Sequence, residues 1–147
     1  MLIYQLAQPW EFDEIAALMW LPQSVRDAFS RFSDRTDDII AFKCVNNERI
    51  EGVGIGKFKH NHLGKHIVIG HLNVKDGCRG EGIGSGLLNR FLELSVQSNL
   101  PCRLQVAPSN RGARRLYGRF DFSVVPGEQV PKTLWMTRQP PHASSHR

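Results

Sequence analysis

One stretch constrains this chain more than any other. Between Lys75 and Gly86, five of twelve residues are glycine: Gly77, Gly80, Gly82, Gly84 and Gly86. An apolar, strand-like run from His66 to Val74 leads in. A helix-like segment from Gly84 to about Ser98 leads out, with Leu87, Leu88, Phe91, Leu92 and Val96 at core spacing. A strand, a glycine turn and a helix start make an anion site for a physical reason. The first helical N–H groups have no partner, all point one way, and carry the positive end of the helix dipole. Glycine lets the backbone approach phosphate oxygens and adopt positive φ. Arg79 adds a fixed charge at the mouth.

Two phosphate motifs fail on spacing. Counting a P-loop from Gly77 reaches Gly82, but Ile83 and Gly84 stand where Lys and Ser or Thr are required. A dinucleotide fingerprint counted from Gly80 puts Ser85 at the third glycine, and from Gly82 it puts Leu87 there. The loop also follows three or more strand-like runs, whereas a Rossmann domain usually opens with it.

The 147 residues suit one domain able to bury its own core, and 41% hydrophobic with 22% charged residues places the chain among globular proteins. Nineteen Lys and Arg against fourteen Asp and Glu leave a net charge of +5, which implies an anionic partner without naming it. No stretch approaches the ~20 apolar residues of a membrane helix. Met1 to Trp20 lacks a basic start and carries Glu11, Asp13 and Glu14, so a signal peptide is not expected. Cys44, Cys78 and Cys102 are odd in number and far apart, with no zinc spacing. Free thiols, mostly buried, in a reducing compartment follow, with cytoplasm as the default and no metal expected.

Elements alternate along the chain. Leu2 to Leu6 reads as a strand, Glu11 to Trp20 as a helix with Phe12, Ile15, Ala16, Leu18 and Met19 inward, and Val25 to Phe32 as a short helix after Pro22. Ile39 to Val45 and Arg49 to Phe58 read as strands joined by a turn at Asn46-Asn47. The second of these carries Gly52, Gly54 and Gly56 on one face, which must bend or admit something close to the backbone. Lys59 to Lys65 reads as a polar loop before the apolar strand His66 to Val74. Cys102 to Ala107 is a strand, Arg111 to Phe120 a helix with an Ala113, Leu116, Tyr117, Phe120 stripe, and Phe122 to Val125 and Thr133 to Thr137 a closing hairpin. The order implies an α/β (α+β) domain over residues 1–138 with a mixed sheet. Residues 139–147, polar and proline-led, are expected to be a disordered tail.

What fits the loop is Arg79-Gly80-Glu81-Gly82-Ile83-Gly84, an R-x-x-G-x-G turn after a strand ending Leu72-Asn73-Val74. Here the sequence resembles the GNAT superfamily of acyl-CoA-dependent N-acetyltransferases. Asn110-x-x-Ala113-x-x-x-Tyr117 followed by Phe122 is similar to that family's last-helix segment. The resemblance implies a mostly antiparallel twisted sheet flanked by helices, with CoA at a splay between central strands. It implies acetyl-CoA as co-substrate, held by Leu72, Asn73, Val74, Arg79, Gly80, Gly82, Ile83, Gly84, Ser85, Asn110 and Tyr117. It also implies acetyl transfer to a primary amine by direct attack in a ternary complex. Two departures stand out: Asp121 occupies the usual glycine before Phe122, and Gly77-Cys78 replaces the common proline-led approach to Arg79.

Amine attack on a thioester sets requirements. A lysine-like amine of pKa about 10.4 is neutral in about one molecule in two thousand at pH 7, a deficit of roughly 4–5 kcal/mol. The site therefore needs a base or water chain, an oxyanion donor and an acid for the thiolate. The resemblance assigns the acid to Tyr117, otherwise a core residue, and the oxyanion donor to a backbone N–H near Leu72 to Val74. Asn110 also suits a helix cap. His71 is the first candidate base, on the face shared by Ile67 and Ile69, with His66 and Glu51 as alternatives. Arg111, Arg114, Arg115 and Arg119, with Arg79, Arg90 and Arg103, are either counter-charges for CoA phosphates or a solvated basic face.

A nucleic-acid module would need aromatics interleaved with basic residues on strands, and these are absent. A catalytically silent acyl-CoA sensor keeps the loop and loses turnover. The partners expected are a small-molecule or peptide amine, with no nucleic acid, no membrane and a homodimer left open.

Overall fold

Val53 and Ile55 alternate with Gly52, Gly54 and Gly56, and that alternation organises the sheet. In the computed structural model, which describes residues 1–31, 38–130 and 133–140, both sets lie on one long strand with opposite surroundings. The strands are β1 (Leu2–Leu6), β2 (Ile39–Asn46), β3 (Arg49–Asn61), β4 (Gly64–Val74), β5 (Cys102–Val106), β6 (Ser123–Val130) and β7 (Thr133–Arg138). The helices are α1 (Phe12–Ala16), α2 (Gln23–Arg31), α3 (Ile83–Ser98) and α4 (Arg111–Arg119). The seven strands form one sheet in the order β1-β2-β3-β4-β5-β7-β6. Every neighbouring pair is antiparallel except β4 and β5. The expected mixed, mostly antiparallel α/β architecture is what the chain adopts.

Each face of the sheet has its own core. On one side Val53, Ile55 and Ala41 pack with Phe12, Ile15, Val25 and Phe29 of α1 and α2, and Phe12 meets Phe29 edge-on at 5.4 Å. On the other, Phe42, Ile67, Ile69 and Leu104 pack with Leu87, Leu88 and Phe91 of α3. The glycines of β3 face this second side and explain how close α3 sits. A Cβ built on Gly52 would lie 2.5 Å from Ile83 Cγ2, and one on Gly54 would lie 2.9 Å from Phe91. The vacated space is filled by rings, with Phe91 edge-on to Phe42 at 5.0 Å. The bare face of β3 is thus a seat for a helix.

Four local expectations are corrected. The helix expected over Glu11 to Trp20 is a 3-10 turn (Pro9–Glu11) followed by α1, which stops at Ala16. Tight i to i+3 bonds, Leu18 N–H to Ile15 O and Leu21 N–H to Leu18 O, turn the chain so that Leu21 enters the core. Met19, expected inward, is 78% exposed in consequence. The polar loop Lys59 to Lys65 is instead the tip of the β3–β4 hairpin, where Asn61 Oδ1 accepts from Leu63 N–H and Gly64 turns at φ +86. Its residues alternate without a buried face because the arm projects beyond β2, so no hydrophobic period marks it.

The β2–β3 turn falls on Asn47 and Glu48, both at positive φ, one residue later than expected. Val96 is exposed, and Ser95 fills the core position, its hydroxyl donating to Leu100 O. Phe32 and residues 141–147 lie outside the described residues. Among the described residues, no helix is long and apolar enough to cross a membrane.

Candidate functional site

The parallel pair that breaks the antiparallel pattern also breaks the sheet open. β4 and β5 pair only at Ile67 with Cys102, Val68 with Arg103 and Ile69 with Leu104. Beyond Ile69, β4 runs on to Val74 without β5 as a partner, so its backbone groups on that side are left for another acceptor or donor. The departure coincides with a bulge. Gly56 opposes Ile69 and Ile55 opposes His71, leaving Gly70 as an extra residue in β4.

A cleft of about 510 Å3 opens there, within the usual range for a small-molecule site. Its walls are Leu72, Asn73 and Val74 from β4, Arg79, Gly80 and Gly82 from the loop, Ile83, Gly84 and Ser85 from the start of α3, and Leu116 from α4. Nine residues expected to hold the cofactor are therefore brought together. Gly80 and Gly82 stand at φ +87 and +82, where a side chain is strained, and no atom within 4 Å would meet a Cβ on either. Open space beside both glycines leaves room for a ligand close to the backbone.

Gly82 is the N-cap of α3 with no side-chain cap, and Gly86 N–H closes the first turn on Gly82 O. The N–H groups of Ile83, Gly84 and Ser85 consequently have no intrahelical acceptor, and no acidic residue occupies the first turn. Arg79 stands at the rim, its side chain 73% exposed beside Asp76 at 3.3 Å. This donor set suits a pyrophosphate.

The other arginines divide by task. Arg90 pairs with Glu93 and donates to Tyr4 O, Arg103 lies over the Trp135 ring at 4.6 Å, and Arg114 donates to Pro108 O. Of the seven, Arg79 alone lines this cleft.

Asn110 and Tyr117 do not line it. Asn110 caps α4, its Oδ1 accepting from Ala113 N–H at 3.1 Å. Tyr117 packs against the α3-side core and edge-on to Phe122, with centroids 6.0 Å apart. Burial pushes its phenol pKa up, so it remains a proton donor through the neutral range. Its neighbour Leu116, read from sequence as core, reaches the cleft instead.

His71 corrects an expectation about faces. The bulge at Gly70 reverses the alternation, so Ile67 and Ile69 face α3 whereas His71, opposite Ile55, faces α2. There it lines a cavity of about 190 Å3 with Arg31, Lys57 and Val68. Burial, reinforced by Arg31, holds its pKa below the ordinary value, so the ring is neutral near pH 7. His66 is elsewhere: five residues along β4, or about 16 Å, buried, with its Nδ1 at 3.0 Å from Gly64 O. Glu51 sits at the opposite end of the sheet, where its carboxylate accepts from Asn46 Nδ2 and its carbonyl from Lys75 N–H. The structure thus separates the three candidate bases.

Tyr4 was missed. Its ring lies over Gly86, where any Cβ would collide with it, and its hydroxyl donates to Gly82 O at 3.4 Å. A glycine inside a helix is the sequence signal for such an approach. Asp121, where the resembled family has glycine, takes φ +69. The turn is therefore kept by a residue that tolerates the left-handed region. Among the described residues, no group of three or more His, Cys, Asp and Glu is placed to hold a metal.

Comparison with curated proteins finds no match. Solved structures do match in fold. The chain superimposes on the ribosomal-protein-S18-alanine N-acetyltransferase of Escherichia coli with a TM-score of 0.76 at 15% identity, over 95% of this chain and 94% of that one. It matches the PaiA N-acetyltransferase of Thermoplasma acidophilum, solved with coenzyme A, at a TM-score of 0.71 and 13% identity, over 95% and 99% of the two chains. Arabidopsis thaliana NAA60, solved with a bisubstrate analogue, gives 0.71 and 16%, over 95% and 98%. The sequence pattern of the acetyltransferase (GNAT) family matches residues 3–122. With four-fifths of its length matched in this way, the chain belongs to the acetyltransferase (GNAT) family.

Proposed function

We propose that this protein moves the acetyl group of acetyl-CoA to a primary amine, by direct attack in a ternary complex. The observation that carries the reading is the convergence of Leu72 to Val74, Arg79 to Ser85 and three unpartnered α3 N–H groups on one cleft. That relatives of this fold are solved with coenzyme A or a bisubstrate analogue supports it. Acetyl-CoA supplies an acyl group already activated as a thioester. The chain's residues then have three tasks.

The N–H groups of Ile83 to Ser85 and the Arg79 guanidinium hold the pyrophosphate. The open side of β4 gives the pantetheine arm a strand to lie along, and a backbone N–H near Leu72 to Val74 donates to the oxyanion. His71, neutral at pH 7, takes the amine proton on its imidazole nitrogen, and Tyr117 Oη gives a proton to the departing sulfur. The acceptor is an amine on a small molecule or a peptide. Free Cys44, Cys78 and Cys102 suit a reducing compartment, and we place the protein in the cytoplasm.

A silent acyl-CoA sensor is the second reading, favoured by the packing of Tyr117 against the core rather than along the cleft. One variant separates the two. Tyr117→Phe is expected to slow thiol release about 10–100-fold with acetyl-CoA affinity unchanged. An amine screen read by free thiol that yields no turnover, while acetyl-CoA still binds, establishes the sensor and overturns the enzyme.

A further inference from the structure

The start of α3 has no side-chain cap, so the turn that opens the cleft is not held by its own helix. A side chain that does reach the turn comes from β1. Tyr4 pairs with Cys44 of β2 and faces the α3-side core. Its hydroxyl donates to Gly82 O at 3.4 Å, and the same oxygen accepts Gly86 N–H at 2.9 Å. Burial pushes the Tyr4 phenol pKa up, so the hydroxyl keeps its proton and remains a donor.

What that bond holds is more than a carbonyl. Gly82 O and Ile83 N–H belong to one planar trans peptide unit and point in opposite directions. A bond on the oxygen therefore fixes the direction of the N–H, the first of the three left open to the cleft. Glycine before that unit offers little steric resistance to its turning, so an outside brace matters. Two features of α3 keep Tyr4 in place. Gly86 leaves the room, since a Cβ there would collide with the end of the ring. One turn on, Arg90 Nη2 donates to Tyr4 O at 3.0 Å, and its guanidinium lies 6.0 Å from the ring centroid. None of Tyr4, Gly86 and Arg90 lines the cleft itself.

We propose that Tyr4 is a positioning residue for cofactor binding: its hydroxyl, acting through Gly82 O, aims Ile83 N–H at the pyrophosphate of CoA, and position 86 is glycine to admit it. The proposal rests on the reading of this cleft as the acetyl-CoA site. A merely structural tyrosine differs in what its loss moves. Removing its hydroxyl would lower stability and leave CoA affinity alone, whereas removing a positioning hydroxyl weakens the ligand.

CoA is the probe, titrated into the full chain by calorimetry and followed by amide NMR. The wild type is expected to bind it with shifts at Ile83, Gly84 and Ser85. Tyr4→Phe keeps the ring and is expected to weaken CoA about fivefold, with a reduced shift at Ile83. Gly86→Ala, which pushes the ring off α3, is expected to weaken CoA by a similar factor. Because its Cβ displaces a hydroxyl that Tyr4→Phe has already removed, the double variant should bind no more weakly than Gly86→Ala alone. Unchanged CoA affinity in Tyr4→Phe, or losses that multiply in the double variant, would overturn the proposal while wild-type binding leaves the reading of the cleft standing. A wild type that binds no CoA overturns that reading and the proposal with it. Should Gly86→Ala not fold, the affinity of Tyr4→Phe and its Ile83 shift decide alone.

Discussion

Two groups of glycines lie within about thirty residues of each other, and the structure uses them in opposite ways. In β3, Gly52, Gly54 and Gly56 have ordinary extended backbone, and a Cβ on any of them would collide with α3 or with β4. In the loop, Gly80 and Gly82 have left-handed backbone and nothing near them. The first group omits side chains so that a helix can pack. The second omits them so that the backbone can turn and a ligand can approach. A substitution in the first should therefore act on stability, and one in the second on binding.

The sharpest test of this contrast is Gly56→Val. Its Cβ would lie 2.5 Å from Val68 O and 3.0 Å from Phe91, and backbone cannot step aside as a side chain can. A loss of about 3 kcal/mol in urea unfolding is expected, with the acetyl-CoA affinity of the folded fraction unchanged. Gly82→Val should reverse the pattern. Its left-handed φ costs about 1 kcal/mol of stability, while acetyl-CoA affinity measured by calorimetry falls about 10–100-fold. A variant at position 82 that binds normally would break the distinction.

Gly70 belongs to neither group, since it is the bulge that turns His71 towards α2. Burial and Arg31 depress the His71 pKa from 6.5, favouring the neutral ring. A depressed folded pKa contributes stability above the unfolded value, and that stability is lost as pH falls through the folded one. In the mechanism we propose, the same titration gates the base. The acid limb of the pH–rate profile should lie below pH 6.5, and His71→Gln should remove that limb while lowering turnover about tenfold or more. An unchanged limb assigns the proton to another group. The smallest effect is expected at Asp121, which holds φ +69 with a Cβ present. Asp121→Gly should raise the unfolding free energy by about 0.5 kcal/mol, because the left-handed backbone then carries no steric strain.

How much of this was legible before folding depends on whether the signal was local. Turn chemistry is local, so the glycine turn at Arg79 to Gly84 could be read from the chain, and the structure sets it beside the end of β4 on one cleft. Helical spacing is local too, and Leu87, Leu88 and Phe91 face the core as their period requires. Val96 fits that period equally well, yet it lines a groove, because the space over it depends on where α4 and β7 end. Leu116 and Tyr117 are adjacent on one helix, and only the position of α4 decides which of them reaches the cleft. The hairpin tip at Asn61 to Gly64 carried no apolar period because nothing covers it.

By itself, then, the sequence determined the elements whose cause lies within a few residues. These are the strands with a two-residue period, the left-handed glycine turn, the uncapped helix start and the Asn110 cap. Tertiary structure decided what needs a partner strand or helix to exist. Two results are of that kind: the splay where β4 leaves β5, and the face to which His71 points. An extra residue at Gly70 is invisible along the chain and appears only as an unpaired position against β3. Because strand faces alternate every residue, that one insertion exchanges the two sides of the sheet, and with them the surroundings of the candidate base.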